Sequence, residues 1–217
     1  MAVAYREAEP LGGADPQSSS MACSELVAAA YRSSFFHPDR HAEHGVAVAS
    51  ARVGTAVGGD PAGGSFVASV IAALRHGRKV RLLKPDAVFP LQHVLEPLGG
   101  CLLLAERLVR HGPRYASAWN FGPNDGDIWS AADVVRHLAA RFGIVDAGAA
   151  DAPEEPLGHV SLRLDPAKAR TELGWRPTWD VASALDKVAD WVQAYENGAD
   201  MRVFAIRQIR QYLRDSK

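Results

Sequence analysis

The stretch "GVAVASARVG", residues 45–54, decides the fold class: it is rich in Val and Ala, carries one charge, Arg52, and is bounded by Gly45 and Gly54. So short and apolar a run suits a strand buried on both faces, as in a parallel sheet covered by helices. Its neighbours follow a different period. Upstream, "ACSELVAAAYRSSFF" (22–36) sets Leu26, Ala29, Ala30 and Tyr31 at helical spacing before Pro38 closes the segment. Downstream, "GTAVGGDPAGGS" reads as a Gly-rich loop. Residues 66–76 read as a helix through Val67, Val70, Ile71 and Leu74, stopped by Gly77, and "KVRLL" (79–83) as a short strand.

The alternation of helix and strand continues to the C-terminus. Over 94–111, Pro97 fits the first helical turn, and Leu98, Cys101, Leu102, Ala105, Leu108 and Val109 form one apolar stripe that we count as scaffold. "SAWNFG" (117–122) reads as a strand, Ser130 and Asp133 as a capping box for a helix to Phe142, and 145–160 as a surface loop. In "SLRLDPAKARTELGW" (161–175) an alternating strand leads to Asp165 as N-cap, Pro166 at the first helical position and Gly174 at the C-terminal cap. Two more helices follow, one through Val181, Ala184, Leu185, Val188, Trp191, Val192 and Tyr195, the other over about 200–214. The pattern is that of an α/β protein. Only 45–54 looks like a fully buried strand, and no G-x-G-x-x-G lies between a strand and a helix. "GTAVGGD" runs into "PAGGS" and not into a helix N-terminus, so it is no pyrophosphate cradle.

Composition narrows the function classes. At 47% hydrophobic and 23% charged residues over 217 positions, the chain is neither a disordered tail nor a membrane protein. Its 24 basic and 25 acidic residues are spread along the chain, so a nucleic acid finds no basic stripe. The N-terminus shows no signal-peptide core and "CLLLAERLV" is interrupted by charge, which implies a cytoplasmic protein. Cys23 and Cys101 lie far apart, with no Cys or His at metal-ligand spacing, and read as buried free thiols; we expect no metal.

Six stretches carry a resemblance: "YREAEPLGGADP", "ARVGTAVGGD", "FPLQHVLEPLGGCLLLAERL", "AWNFGPNDGD", "LRLDPAKARTELGWRPTWDVASALDKVADW" and "YENGADMR". Together they are similar to the C-terminal two-thirds of CDP-glucose 4,6-dehydratases. These are extended short-chain dehydrogenase/reductases that use bound NAD to make a 4-keto-6-deoxy sugar nucleotide. The resemblance implies a truncated NAD(P)-binding Rossmann-like fold without its N-terminal strands. Residues 1–60 would be a remnant of the nucleotide-binding sheet and 61–217 the sugar-nucleotide domain. In this family the NAD-binding turn and the acid and base that assist dehydration precede the part resembled, so no cofactor is expected for this chain alone.

What the family should still show here is a Tyr-x-x-x-Lys pair on one helical face, the phenolate accepting a proton while the ammonium lowers its pKa and holds the nicotinamide ribose. The pattern Asp-Pro-Tyr-x-x-x-Lys falls on "DPQSSSM", placing Gln17 at the Tyr and Met21 at the Lys. Neither can do that chemistry. Ser18, Ser19 or Ser20 would need a base that the stretch does not supply, and reads better as part of a helix start. Two family arginines that face phosphates are replaced, by Ser65 and within Val88-Phe89-Pro90-Leu91; Gly54-Thr55 and Leu157-Gly158-His159 also depart from the pattern. Gln92, His93 and Asn120 remain as candidate ligands of a sugar nucleotide. His93 reads equally as a hydrogen-bonded residue at a strand–helix junction and Asn120 as a turn residue. The resemblance thus implies a catalytically silent relative that at most binds a sugar nucleotide, with a CDP-sugar as the candidate ligand. Its alternatives are one half of a split enzyme, or a module whose helices at 22–36 and 94–111 pair with another dehydratase subunit or with a second copy.

Overall fold

The computed structural model describes residues 4–59, 65–144, 150–151 and 163–217. Helix α1 (Pro16–Ser34) starts where Pro16 follows an N-cap, Asp15, whose carboxylate accepts from the Ser18 N–H at 2.8 Å. Although it is 19 residues long, none of its residues is buried. After a short helix, α2 (His41–His44), strand β1 (Ser50–Val53) pairs in parallel with β6 (Ala118–Phe121). The strand is therefore shorter than 45–54, and its residues alternate between half-buried and exposed, with Val53 41% exposed. Burial on both faces is overturned, because among the described residues only one face of β1 is covered, and β6 is its one hydrogen-bonded neighbour.

At Gly54 the chain leaves β6 for a new partner. The Gly54 N–H still donates to the Phe121 carbonyl, and β2 (Thr55–Val57) then pairs in parallel with β5 (Leu91–His93). A Cβ at Gly54 would sit 2.6 Å from the Pro90 carbonyl oxygen, so only glycine lets the strands approach this closely. The start of the expected loop is thus a strand. Helix α3 (Phe66–Arg75), capped by Ser65, buries the expected Val67, Val70, Ile71 and Leu74. β3 (Arg81–Leu82) pairs with β8 (Ala150–Asp151), and β4 (Val88–Phe89) pairs antiparallel with β7 (Trp129–Ser130). The rest of the loop expected at 145–160 lies outside the described residues.

Helix α4 (Leu95–His111) buries Glu96, Pro97, Gly100 and Leu104. The stripe counted as scaffold faces the other way: Leu98 is 51%, Leu102 73% and Val109 88% exposed. Close approach explains the choice of face, since a Cβ on Gly100 would lie 2.5 Å from the Phe121 ring, so the sheet takes the side with no side chain in its path. Helix α5 (Ala131–Arg141) has the full Ser130–Asp133 capping box, and α6 (Val181–Glu196) is capped by Asp180. After Pro166 the chain makes one wide π-type turn, Ala169–Leu173, before Gly174 at φ 77°. Helix α7 (Met201–Asp215) follows Asp200. One core packs β2 and β5 against α3, α5 and α6; a second gathers Leu104, Tyr115, Trp119, Phe121, Leu173 and Trp175. Cys23 is exposed and Cys101 half-buried, so neither is the buried thiol expected, since each lies on a helix face that is not packed. No described helix is long and apolar enough to cross a membrane.

Candidate functional site

Two segments far apart in sequence meet over the carboxyl end of β6. The Tyr5 N–H donates to the Arg163 carbonyl at 2.8 Å and the Asp165 N–H to the Tyr5 carbonyl at 2.9 Å, while Arg6 pairs with Asp165 at 3.0 Å. Between them and α1 opens a cleft of about 590 Å³. Its floor is Asn120, fully buried in the middle of a strand and not in a turn. Its side-chain Nδ2 donates to the carbonyls of Tyr5 (3.0 Å) and Asp165 (3.3 Å), and its backbone N–H to Glu7 Oε1 (2.9 Å). Two carbonyl acceptors fix which end of the amide is nitrogen. Oδ1 is left with no partner among the described residues. A buried acceptor in that state costs about 1–3 kcal/mol.

The charged groups around Asn120 are mostly engaged. Arg52 donates from Nη1 to the Glu7 carbonyl (2.9 Å) and from Nη2 to Glu25 (3.2 Å), and Arg6 is held by Asp165. Hydrogen bonds from the Ser18 side chain and backbone hold the Asp15 carboxyl below the usual carboxylate range, so it is an ionised cap and no proton donor. Glu9 and Leu11 complete the wall used below. Behind Leu164, shared with a smaller hollow lined by Asn124 and Arg163, the Arg163 guanidinium has no carboxylate partner among the described residues and donates to the Asp125 carbonyl at 3.5 Å.

Gln17 and Met21 stand one turn apart on α1, both exposed, and neither lines the cleft; of this helix only Pro16's neighbour across the first turn, Ser18, does. The three serine hydroxyls are used locally: Ser18 on Asp15 (2.6 Å), Ser19 on the Gly13 carbonyl (3.2 Å) and Ser20 on the Gln17 carbonyl (2.8 Å). They start the helix. Met21 is 69% exposed and its thioether offers no donor to a nicotinamide ribose, so the residues present do not fit that contact with NAD and no step is routed through it.

Gln92 and His93 lie away from the cleft, inside the sheet. Gln92 Nε2 donates to the Phe121 carbonyl at 2.9 Å, tying β5 to β6. His93 Nδ1 accepts from the Leu95 N–H at 3.3 Å and its ring stands edge-on to Trp179, which is the junction arrangement. Burial, then the charge of Lys187, lowers its pKa to about 4, so the ring is neutral near pH 7. Glu96, fully buried, accepts from the N–H groups of Thr178 and Trp179, both at 2.9 Å, and from Tyr212 Oη at 3.0 Å. Tyr5, Glu9 and Arg52 were not singled out by sequence, although the stretches "YREAEP" and "ARVG" contain them.

No family model matches the chain. Over 210 residues it is 37% identical to the CDP-glucose 4,6-dehydratase of Salmonella typhimurium, covering 96% of this chain and 58% of that protein. Among solved structures, the dTDP-glucose 4,6-dehydratase of Bacillus anthracis in complex with NAD superposes with a TM-score of 0.74 at 18% identity, over 91% of this chain and 58% of that one. A dTDP-glucose 4,6-dehydratase from Streptomyces venezuelae gives 0.73 at 20%, over 92% and 57%. The Thermus thermophilus UDP-glucose 4-epimerase gives 0.62 at 20%, over 81% and 53%. The fold is therefore the α/β, Rossmann-like fold of the extended short-chain dehydrogenase/reductases, and the chain spans somewhat more than half the length of the dehydratases it matches.

Proposed function

We infer that this chain, a relative of CDP-glucose 4,6-dehydratase, holds the sugar of a sugar nucleotide in the cleft over Asn120 and does not itself dehydrate it. The observation that carries the reading is the cleft itself, about 590 Å³ and so wide enough for a pyranose, with buried Asn120 and the Glu9 and Asp15 carboxylates in its lining. Sugar hydroxyls are donors for those carboxylates. Arg163, with no carboxylate partner among the described residues, is available to a phosphate. In this scheme residues 1–60 supply the wall of the cleft and 61–217 its floor and the nucleotide side.

Silence follows from what stands on α1. A 4-hydroxyl needs a base, and at the family's tyrosine and lysine positions the chain offers a carboxamide and a thioether that point to solvent. Titration calorimetry with CDP-glucose should give saturable binding that Leu11→Trp, which fills the cleft from an exposed wall residue, abolishes. No heat at millimolar ligand, or a heat indifferent to Leu11→Trp, would overturn the reading.

A second reading is favoured by one observation. The register that puts the Ser50 and Gly54 N–H groups on β6 turns those of Ala51 and Val53 to the opposite edge, where no described strand pairs. With α1 burying nothing, that edge suits a further strand and helix from an NAD-binding chain, as in a split enzyme. Co-expression with such a chain, followed by co-purification, tests it.

A further inference from the structure

Helix α7 keeps its arginines for the outside. Arg202, Arg207, Arg210 and Arg214 have no carboxylate partner among the described residues, whereas Arg136 and Arg141 of α5 each have one. Interleaved with them, Val203, Ile206, Ile209 and Leu213 are 40–56% exposed. At the helical period Val203, Ile206 and Leu213 fall together in the middle of the outward face with Arg210 among them, while Arg202 lies on one flank and Arg207 and Arg214 on the other. We propose that this face docks on an anionic phospholipid bilayer. The helix lies flat, its aliphatic residues among the acyl carbons nearest the headgroups and its guanidiniums on lipid phosphates.

Charge and anchoring both favour that occupant. Residues 200–217 hold five basic and two acidic residues in a chain whose total charge is -1, and neither acid sits among the arginines: Asp200 caps the helix and Asp215 accepts from Trp179 Nε1 at 2.9 Å. The inward face is tied down. Gln208 Nε2 donates to the Lys187 carbonyl at 2.9 Å, Lys187 Nζ to Gln211 at 3.0 Å and Tyr212 Oη to Glu96 at 3.0 Å, so the outward face cannot turn inward to bury its aliphatic residues. One face of a helix of 15 residues, about 22 Å long, covers far less than the roughly 800 Å² that each partner of a stable protein complex contributes. A bilayer needs no such area, because its negative surface acts on every arginine within a Debye length, about 8–10 Å. Lying on the surface also asks for no spanning length, and no described helix has one.

This inference does not depend on the sugar-nucleotide reading. Flotation of the full chain with phosphatidylcholine vesicles containing about one-third phosphatidylglycerol should recover it with the lipid at about 0.05 M salt and release it at about 0.5 M. Vesicles of phosphatidylcholine alone should not hold it. Arg207→Glu with Arg210→Glu should lower the partition coefficient at least about tenfold while leaving the thermal melt unchanged, since both side chains are exposed. The same charge change made elsewhere, Arg78→Glu with Lys79→Glu on the exposed turn after α3, should lower it less than about threefold. No binding to the anionic vesicles at the lower salt, equal binding to neutral vesicles, or equal losses in the two double variants would overturn the proposal. So would a chain that ignores both vesicles and binds polyglutamate through Arg207 and Arg210, which would assign the face to an acidic protein.

Discussion

At the scale of single residues, the polar groups that hold the fold and those that face the cleft are easily confused. Gln92, His93 and Asn120 look alike in sequence, as polar residues in short apolar runs, and only Asn120 reaches the cleft. What separates them is which way a three- or four-residue strand turns its side chains, set by pairing partners distant in sequence. His93 makes a prediction with a definite sign. Its folded pKa lies below its unfolded value near 6.5, so the unfolded chain binds the proton first and stability falls as pH drops from about 6.5 to about 4. That loss is on the order of 3 kcal/mol. Burial moves Glu96 the other way, raising its pKa, so its protonation offsets part of the loss at the acid end. Denaturant unfolding across this range should show the slope in the parent chain and lose it in His93→Gln; an unchanged slope would assign the acid sensitivity elsewhere. Tyr212→Phe removes one donor from buried Glu96 and should cost about 1.5–3 kcal/mol by the same measurement.

At the scale of elements, the sequence is read well where local chemistry sets the boundary and poorly where packing chooses a face. Ser130 and Asp133 announce α5 and form the expected capping box; Asp165, Pro166 and Gly174 likewise bound the turn that follows them. The apolar stripe of α4 was equally plain, yet it points outward, because Gly100 gives Phe121 a closer approach on the less apolar side. Periodicity reports that a helix has an apolar face and leaves open what covers it. Truncation decides between the faces: Leu104→Ala should cost about 2–5 kcal/mol, whereas Leu102→Ala should stay within about 0.5 kcal/mol for the monomer. Equal losses at the two positions would mean that α4 is rotated from the arrangement described.

At the scale of the whole molecule, the α/β class and the likeness to sugar-nucleotide dehydratases could be read from six stretches of sequence, while the cleft could not. Its lining comes from Tyr5, Asp15, Arg52, Asn120 and Leu164, joined by a bridge between Tyr5 and Leu164 that no local pattern signals. The strand at 50–53 shows the same limit, being apolar enough for a central strand and yet bonded on one edge. Hydrogen exchange should therefore find the Arg52 amide slow and the Ala51 and Val53 amides fast in the isolated chain; protection of all three would show that the second edge is covered. The central claim, binding without turnover, is tested most directly by one NMR experiment on the chain mixed with CDP-glucose and NAD. Saturation transfer from protein to the glucose ring, with the sugar spectrum unchanged over hours, is the predicted result; no transfer, or the growth of a C6 methyl signal from a 6-deoxy product, would contradict it.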